Sequence, residues 1–148
     1  MSAPPPASAN PRREAILAAA LDLFRKHGFH SVGVDDIGTA AGISGPGVYR
    51  HFPSKHSLLV ELFDSLTERM LLGAEEIQKG DHPPEETLDR LVAFHAATAV
   101  AERAMVGVWL QDWRSLPAAD EQRIRGRQAE YLGIWLATLA RVRPELSP

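Results

Sequence analysis

The chain has 148 residues, of which 45% are hydrophobic and 24% are charged, and its formal net charge is −3. This composition is ordinary for a globular protein that buries a core. The absence of cysteine excludes disulfides and thiolate metal sites and fits a reducing cytoplasm. No apolar run approaches the ~20 residues that span a bilayer, so we expect no membrane partner.

The charge is unevenly distributed along the chain. Residues 1–60 hold six Lys or Arg against four Asp or Glu, and the remaining residues hold ten against fifteen. Four of the six histidines also fall within residues 1–60. Such an asymmetry indicates nucleic-acid binding by the more basic part, although an excess of two charges also arises by chance.

The first predicted helix follows a proline-rich segment. Residues 1–10 read "MSAPPPASAN" and are expected to form a disordered tail. Over residues 12–28 the apolar side chains recur at helical spacing. Asn10 is the predicted N-cap, Pro11 suits the first turn, and Gly28 suits the stop.

Two short helices are predicted next, at residues 34–41 and 45–51. The first ends at Gly42, and the second begins after Ser44, its predicted N-cap. Two short helices joined by a tight turn form a helix-turn-helix, which places its second helix in the major groove of DNA. Such pairs are also common in all-α cores, so the pattern alone leaves both interpretations open.

The residues of the second short helix suit contact with DNA. Small residues at its start allow a close approach to base edges, and Pro46 can contact a thymine methyl. Tyr49, Arg50 and His51 can bond phosphate oxygens. The candidate DNA-binding residues of this stretch are Ser44, Gly45, Pro46, Gly47, Tyr49, Arg50, His51 and Lys55, the last at the N-terminus of the next helix, where backbone N–H groups are also available.

Four longer helices are predicted after this unit, at residues 55–80, 85–101, 103–116 and 119–142. They carry most of the aromatic residues. Aromatic residues at helical spacing usually belong to a core, but pockets also combine apolar walls with a few polar groups. The candidate ligand-binding residues are therefore Met70, Phe94, His95, Trp109, Trp113 and Tyr131, with a core role as the alternative.

No catalytic or metal-binding pattern is present in the sequence. His82 and His95 lack the spacing of a helical zinc site. The acidic pairs at 35–36, 75–76 and 85–86 are direct neighbours, which point about 100° apart on a helix, so no pair converges on one substrate atom. We predict neither an enzyme nor a cofactor nor a metal.

Residues 12–59 resemble the TetR family of bacterial transcriptional regulators. The similarity lies in "AILAAALDLFRKHGF", "VDDIGTAAGIS" and "GPGVYRHFPSKHSLL", which include a Tyr-x-His-Phe-x-x-Lys pattern. It implies an all-α fold, with a DNA-binding head at residues 11–55 and a helical regulatory body at residues 56–148. It also implies phosphate contacts from Tyr49, His51 and Lys55, and base or adjacent backbone contacts from Gly45, Pro46, Gly47 and Arg50. Arg12 and Arg13 match an arm that reaches the DNA backbone or minor groove.

The resemblance implies a ligand-responsive repressor. Such a protein binds an inverted repeat in double-stranded DNA as a homodimer and is released by a small apolar or amphipathic effector. The alternatives are a helical interaction module and an all-α enzyme, neither of which binds DNA specifically. Salt-dependent DNA binding separates the regulator from the interaction module, because phosphate contacts release counterions.

Two departures from the family pattern affect these expectations. Val32 and Gly33 stand where family members carry a Thr or Ser that caps the second helix and contacts phosphate, so that contact is in doubt. Family members also continue with two more long helices after "RVRPELSP". We expect those helices to be absent here, which leaves apolar residues such as Leu132 and Leu139 exposed. The chain alone should then dimerise weakly or through a substitute surface, and it should bind operator DNA poorly.

Overall fold

A computed structural model describes residues 10–146, and the described residues form seven α-helices and three short 3-10 turns. The helices are α1 (Pro11–His27), α2 (Val34–Ala41), α3 (Gly45–Tyr49), α4 (Lys55–Lys79), α5 (Pro84–Ala101), α6 (Arg103–Asp112) and α7 (Ala118–Val142). The 3-10 turns cover Phe29–Ser31, Trp113–Ser115 and Pro144–Leu146. The all-α prediction is confirmed. The tail expected at residues 1–9 lies outside the described residues, as do Ser147 and Pro148.

The predicted end of α3, the second helix of the helix-turn-helix, differs from the observed one. The helix predicted over residues 45–51 ends at Tyr49, so Arg50 and His51 lie in the turn that follows. The His51 N–H bonds to the Val48 carbonyl oxygen at 2.9 Å, which is a tighter, three-residue turn. Pro53 has no N–H with which to extend the helix. The second helix of the helix-turn-helix, α3, is therefore two residues shorter than predicted.

Side-chain caps define where the head helices begin. The side chains of Asn10, Ser44 and Ser54 accept the backbone N–H three residues further on, at the starts of α1, α3 and α4. Gly33 precedes α2 as its N-cap, and its N–H donates to the Asp36 carboxylate at 2.9 Å. A bonded N-cap satisfies N–H groups that otherwise have no partner in a first helical turn.

The first three helices share one apolar core, which continues into α4 and α6. Its members in these three helices and in the segment after α3 are all at most 1% exposed: Ile16, Ala20, Phe24, Ile37, Val48 and Phe52. Full burial of a large apolar side chain stabilises the fold by about 1.5–3 kcal/mol relative to exposure. The core therefore fixes α2 and α3 against α1.

The long helix α4 connects this head to a helical body. α4 packs along α7 and α5, and α6 packs against both α1 and α4. A second, smaller core of Ala74, Leu91 and Ile134 joins α4, α5 and α7. Leu132 and Leu139 are exposed on α7, as expected.

Across residues 10–146, no single helix is long and apolar enough to cross a membrane. The stretch formed by Pro84–Ala101 and Arg103–Ser115 passes that test by length and composition together, but it bends by 82° between its two parts.

Candidate functional site

The turn between α2 and α3 depends on two glycines. Gly42 ends α2 in the left-handed conformation, with φ 72°, which L-residues rarely adopt. Gly38 is buried, and a Cβ there would lie 2.9 Å from the Ile43 carbonyl oxygen and 3.2 Å from the Ser44 carbonyl carbon. The close approach lets the Ile43 N–H bond to the Gly38 carbonyl oxygen at 2.9 Å. This turn sets the angle at which α3 leaves α2.

Gly45 and Gly47 have different surroundings at the start of α3. Gly45 is buried, and a Cβ there would overlap the Asp35 carboxylate of α2. Its small size therefore serves the packing of α2 on α3, whereas the sequence suggested a role in approaching bases. A Cβ on Gly47 would lie 3.3 Å from the Ser44 hydroxyl oxygen, a contact that a small side-chain movement relieves.

Six of the predicted DNA-binding residues are exposed or half-exposed along α3 and the turn after it. We call these six the recognition surface: Ser44, Pro46, Gly47, Tyr49, Arg50 and His51. The Tyr49 side chain is 54% exposed, although a large aromatic ring usually lies in a core. The recognition surface thus presents small residues at the helix start and polar groups around them.

Lys55 contacts the protein itself rather than projecting freely from α4. Its ammonium donates to the carbonyl oxygens of Phe29 and Val32, at 2.8 and 3.0 Å, and lies 4.3 Å from the centre of the Phe29 ring. These bonds fasten the loop between α1 and α2 to the start of α4. An ammonium has three donors, so the predicted phosphate contact can use the third and stays a prediction.

Arg13 likewise bonds within the head. Its guanidinium donates to both carboxylate oxygens of Glu61 on α4 and lies 4.3 Å over the Phe52 ring. It therefore ties the start of α1 to α4. Arg12, beside it, is exposed. The two arginines predicted to form one arm thus have different surroundings.

We expect Lys55→Ala to reduce the free energy of unfolding by about 1.5–3 kcal/mol, because the loop carbonyls lose charge-assisted hydrogen bonds. Urea denaturation measures this change. Lys26→Ala is the control, since the Lys26 ammonium pairs with exposed Asp22 on its own helix, and it should have a smaller effect. Equal effects of the two substitutions would show that Lys55 does not hold the loop.

A cavity of about 250 Å³ lies between α4, α5, α6 and α7. Four of the six predicted ligand-binding residues line it: Met70, His95, Trp109 and Tyr131. Phe94 and Trp113 do not. The Phe94 ring lies against the backbone of Gly73, and the Trp113 ring lies 4.5 Å below the guanidinium of Arg125.

The sequence did not reveal the other residues of the cavity wall. They include Leu66, Thr67, Thr98, Val106, Arg127 and Gln128. Small aliphatic and polar residues at helical spacing look the same whether a helix faces a cavity or a neighbouring helix. The aromatic residues and Met70 were the part of the wall that the sequence indicated.

Two polar clusters border the cavity. His95 Nδ1 and the Tyr131 hydroxyl are 2.8 Å apart, and burial raises the pKa of Tyr131 above its usual value. On the other side, Arg127 donates to Asp64 Oδ1 at 3.2 Å. Asp64 also accepts from Arg123, a bond that raises the pKa of Arg123.

Helix α6 links the cavity to the head. Its residues Val106 and Trp109 line the cavity. At its end, the buried Asp112 carboxylate accepts the Phe29 N–H at 3.1 Å, in the loop that precedes α2. Asp112 and Phe29 are 83 residues apart in sequence, so no local pattern could have predicted this bond.

These features define an all-α protein with a helix-turn-helix head that is joined to a helical body. Residues 16–62 match the bacterial regulatory proteins of the tetR family, and residues 81–146 match the tetracyclin repressor-like C-terminal domain. The chain belongs to the TetR family of transcriptional regulators, a family that is not enzymatic. Membership in this family implies DNA binding.

Individual relatives agree with this assignment. The chain is 44% identical over 62 residues to the HTH-type transcriptional regulator EthR of Mycolicibacterium smegmatis, covering 42% of this chain and 29% of that protein. It is 27% identical over 141 residues to the HTH-type transcriptional repressor KstR2 of Rhodococcus jostii, covering 92% and 69%. The chain thus spans under a third of the first relative's length and about two thirds of the second's.

A crystal structure of a TetR-family transcriptional regulator from Bordetella parapertussis has the same fold. It matches with a TM-score of 0.87 at 20% identity, over 93% of this chain and 72% of that chain. At this level of identity the similarity concerns the fold alone.

Proposed function

We propose that the chain is a ligand-responsive repressor. It binds an inverted-repeat operator as a homodimer through the recognition surface, and a small apolar or amphipathic effector in the cavity releases it. One observation carries the proposal: α6 lines the cavity with Trp109 and is bonded through Asp112 to the loop before the helix-turn-helix. The relative from Rhodococcus jostii is named a repressor, which supports repression rather than activation by this chain.

The recognition surface supplies both kinds of DNA contact. Pro46 and Gly47 offer a small apolar face to base edges in the major groove. Tyr49, Arg50 and His51 carry donors for phosphate oxygens on either side of the groove. Arg12 is exposed at the start of α1 and adds a further cation for the DNA backbone.

Coupling between the sites requires that the effector prefer one arrangement of α6. A ligand shifts a protein between states only by its different affinity for them. Because Asp112 holds the Phe29 N–H, a displacement of α6 on ligand binding would carry the loop and the head with it. Couplings of this kind usually change affinity by about 5–150-fold.

The exposed apolar residues of α7 support a homodimer. Leu132, Leu136 and Leu139 follow one another at helical spacing, and their side chains are 58%, 67% and 38% exposed. Exposed apolar patches mark surfaces for association. Two heads held about 34–36 Å apart, or a multiple of that distance, reach successive major grooves of an inverted repeat.

The direct test of this function is operator selection from random DNA with the purified chain, followed by anisotropy titrations at several salt concentrations. We expect an inverted repeat to be enriched. Affinity should fall linearly with salt on a log–log plot, with a slope of about −0.9 per phosphate contacted. Equal affinity for all sequences, or no DNA binding, would leave the interaction-module alternative.

We expect Asp112→Ala to weaken the effect of an effector on operator affinity. The factor by which the effector changes that affinity should fall towards one, while the effector still binds. The reason is that the substitution leaves the buried Phe29 N–H without its acceptor, which also costs about 1–3 kcal/mol of stability. Asp112→Asn retains an acceptor oxygen and should preserve most of the coupling. Operator titrations with and without effector measure the coupling in the alanine and asparagine variants. Full coupling in the alanine variant would exclude this bond from the transmission.

A further inference from the structure

We propose that the ligand of the cavity is an amphipathic molecule with a carboxylate head group, and that Arg127 binds this group after leaving Asp64. The inference rests on the proposed function, in which the cavity is the effector site, and it names the chemical class of the effector.

The lining of the cavity places one permanent charge beside apolar walls. Leu66, Met70 and Trp109 provide aliphatic and aromatic surface. Among the described residues that line the cavity, Arg127 is the single one whose side chain is charged at every ordinary pH. The histidine of the wall, His95, is already bonded to the Tyr131 hydroxyl. An apolar wall with one guanidinium matches an apolar tail with one anionic end.

Arg127 stands at the border between two spaces. It lines the apolar cavity, and it also lines a polar groove that contains Ser57, Asp64 and Asp120. On the groove side it gives a single N–H to Asp64 Oδ1, at 3.2 Å. A guanidinium has five N–H donors in a planar fork that matches a carboxylate in bidentate geometry. A carboxylate in the cavity can therefore receive a better pair of bonds than the present one.

The exchange leaves Asp64 paired. Arg123 donates to the same Asp64 oxygen that Arg127 uses. When Arg127 turns towards a ligand, Arg123 still compensates the carboxylate, so no lone charge is left partly buried. The Arg127 and Asp64 side chains are 34% and 24% exposed, and solvent at that level keeps the strength of their present bond modest. The ion pair therefore orients Arg127, but it is weak enough for Arg127 to exchange Asp64 for a ligand carboxylate.

The size of the cavity limits the apolar tail. Its volume of about 250 Å³ lies just below the roughly 300–1,000 Å³ of sites for drug-sized ligands. A short or medium-length alkyl chain fits this volume better than a large ring system. Each methylene buried against these walls should strengthen binding by about fourfold.

Isothermal titration calorimetry with octanoate, 1-octanol and octylammonium tests the head-group preference. We expect the protein to bind octanoate at least about 10-fold more tightly than 1-octanol, which is the gain from a charge-assisted hydrogen bond, and to bind octylammonium most weakly. Arg127→Gln should lose the preference for octanoate and keep its affinity for 1-octanol. Arg123→Gln is the matched control, because Arg123 bonds the same carboxylate without lining the cavity, and it should keep the preference.

Equal affinity for octanoate and 1-octanol would overturn the proposal, as would a preference that survives in Arg127→Gln or disappears equally in Arg123→Gln. Melting curves of both variants show whether each is folded. Operator titrations separate this inference from the proposed function. Octanoate that binds through Arg127 without changing operator affinity would uphold the head-group assignment and contradict the effector role.

Discussion

A Gly47→Leu protein is expected to remain folded and to lose its specific binding to operator DNA. Gly47 is partly exposed near the start of α3, and the nearest atoms to a Cβ there belong to the Ser44 hydroxyl and the Ile43 side chain, at 3.3 and 3.6 Å. The rest of a leucine side chain would project outwards and hold the helix away from the base edges. Specific binding typically exceeds non-specific binding by about 10³–10⁷-fold, so the loss should be at least about 10³-fold.

Anisotropy titration against a selected operator and a scrambled duplex measures this loss. Pro46→Ala is the control on the same surface, and it should weaken binding by about 1–3 kcal/mol at most, concentrated at one base pair. Urea denaturation shows whether the leucine variant is folded. Unchanged operator binding by a folded Gly47→Leu protein would remove this face of α3 from the interface.

The second large effect is expected from Gly38→Leu, which should destabilise the helix-turn-helix itself. A Cβ at Gly38 lies within 2.9–3.3 Å of three backbone atoms, those of Ile43, Ser44 and Gly45. Backbone atoms cannot rotate away as a side chain can, so α2 and α3 would have to separate. Overpacking usually costs about 1–3 kcal/mol, and we expect a loss at the top of that range or above it, with DNA binding lost as well.

The neighbouring glycine supplies the control for this prediction. Gly42 has a positive φ of 72°, but nothing lies within 4 Å of a Cβ built on it. Asn tolerates the left-handed conformation better than other L-residues, so Gly42→Asn should cost about 1 kcal/mol or less. Urea denaturation of the two variants would contradict the packing argument if Gly38→Leu were no less stable than Gly42→Asn.

Local sequence patterns predicted the helices and their caps. Asn10 and Ser44 each lie where a capping residue precedes an apolar period, and the structure places both of them as N-caps. Such signals depend on neighbours within one or two turns, so they are visible in the chain itself. The helix-turn-helix was predictable for the same reason.

The contacts that join distant segments were not predictable. Lys55 looked like a residue aimed at phosphate, because sequence shows its position at a helix start but not the carbonyls of Phe29 and Val32 that its ammonium reaches. Gly45 looked like a residue for close approach to DNA, yet Asp35 faces it across the turn. The place of Arg127 at the cavity depends on the packing of α7 against α4, which local periodicity does not encode.

The central claim is that α3 and its following turn face the DNA. The chain contains no cysteine, so Arg50→Cys creates a single thiol that can carry an iron-chelate cleavage reagent at the edge of α3, on the recognition surface itself. We predict cleavage of bound operator DNA at two positions flanking its major grooves, separated by about 34–36 Å or a multiple of it. The same reagent at Val92→Cys, on the exposed face of α5, should leave the DNA intact. Cleavage from residue 92 and none from residue 50, with the operator bound in both proteins, would contradict the claim.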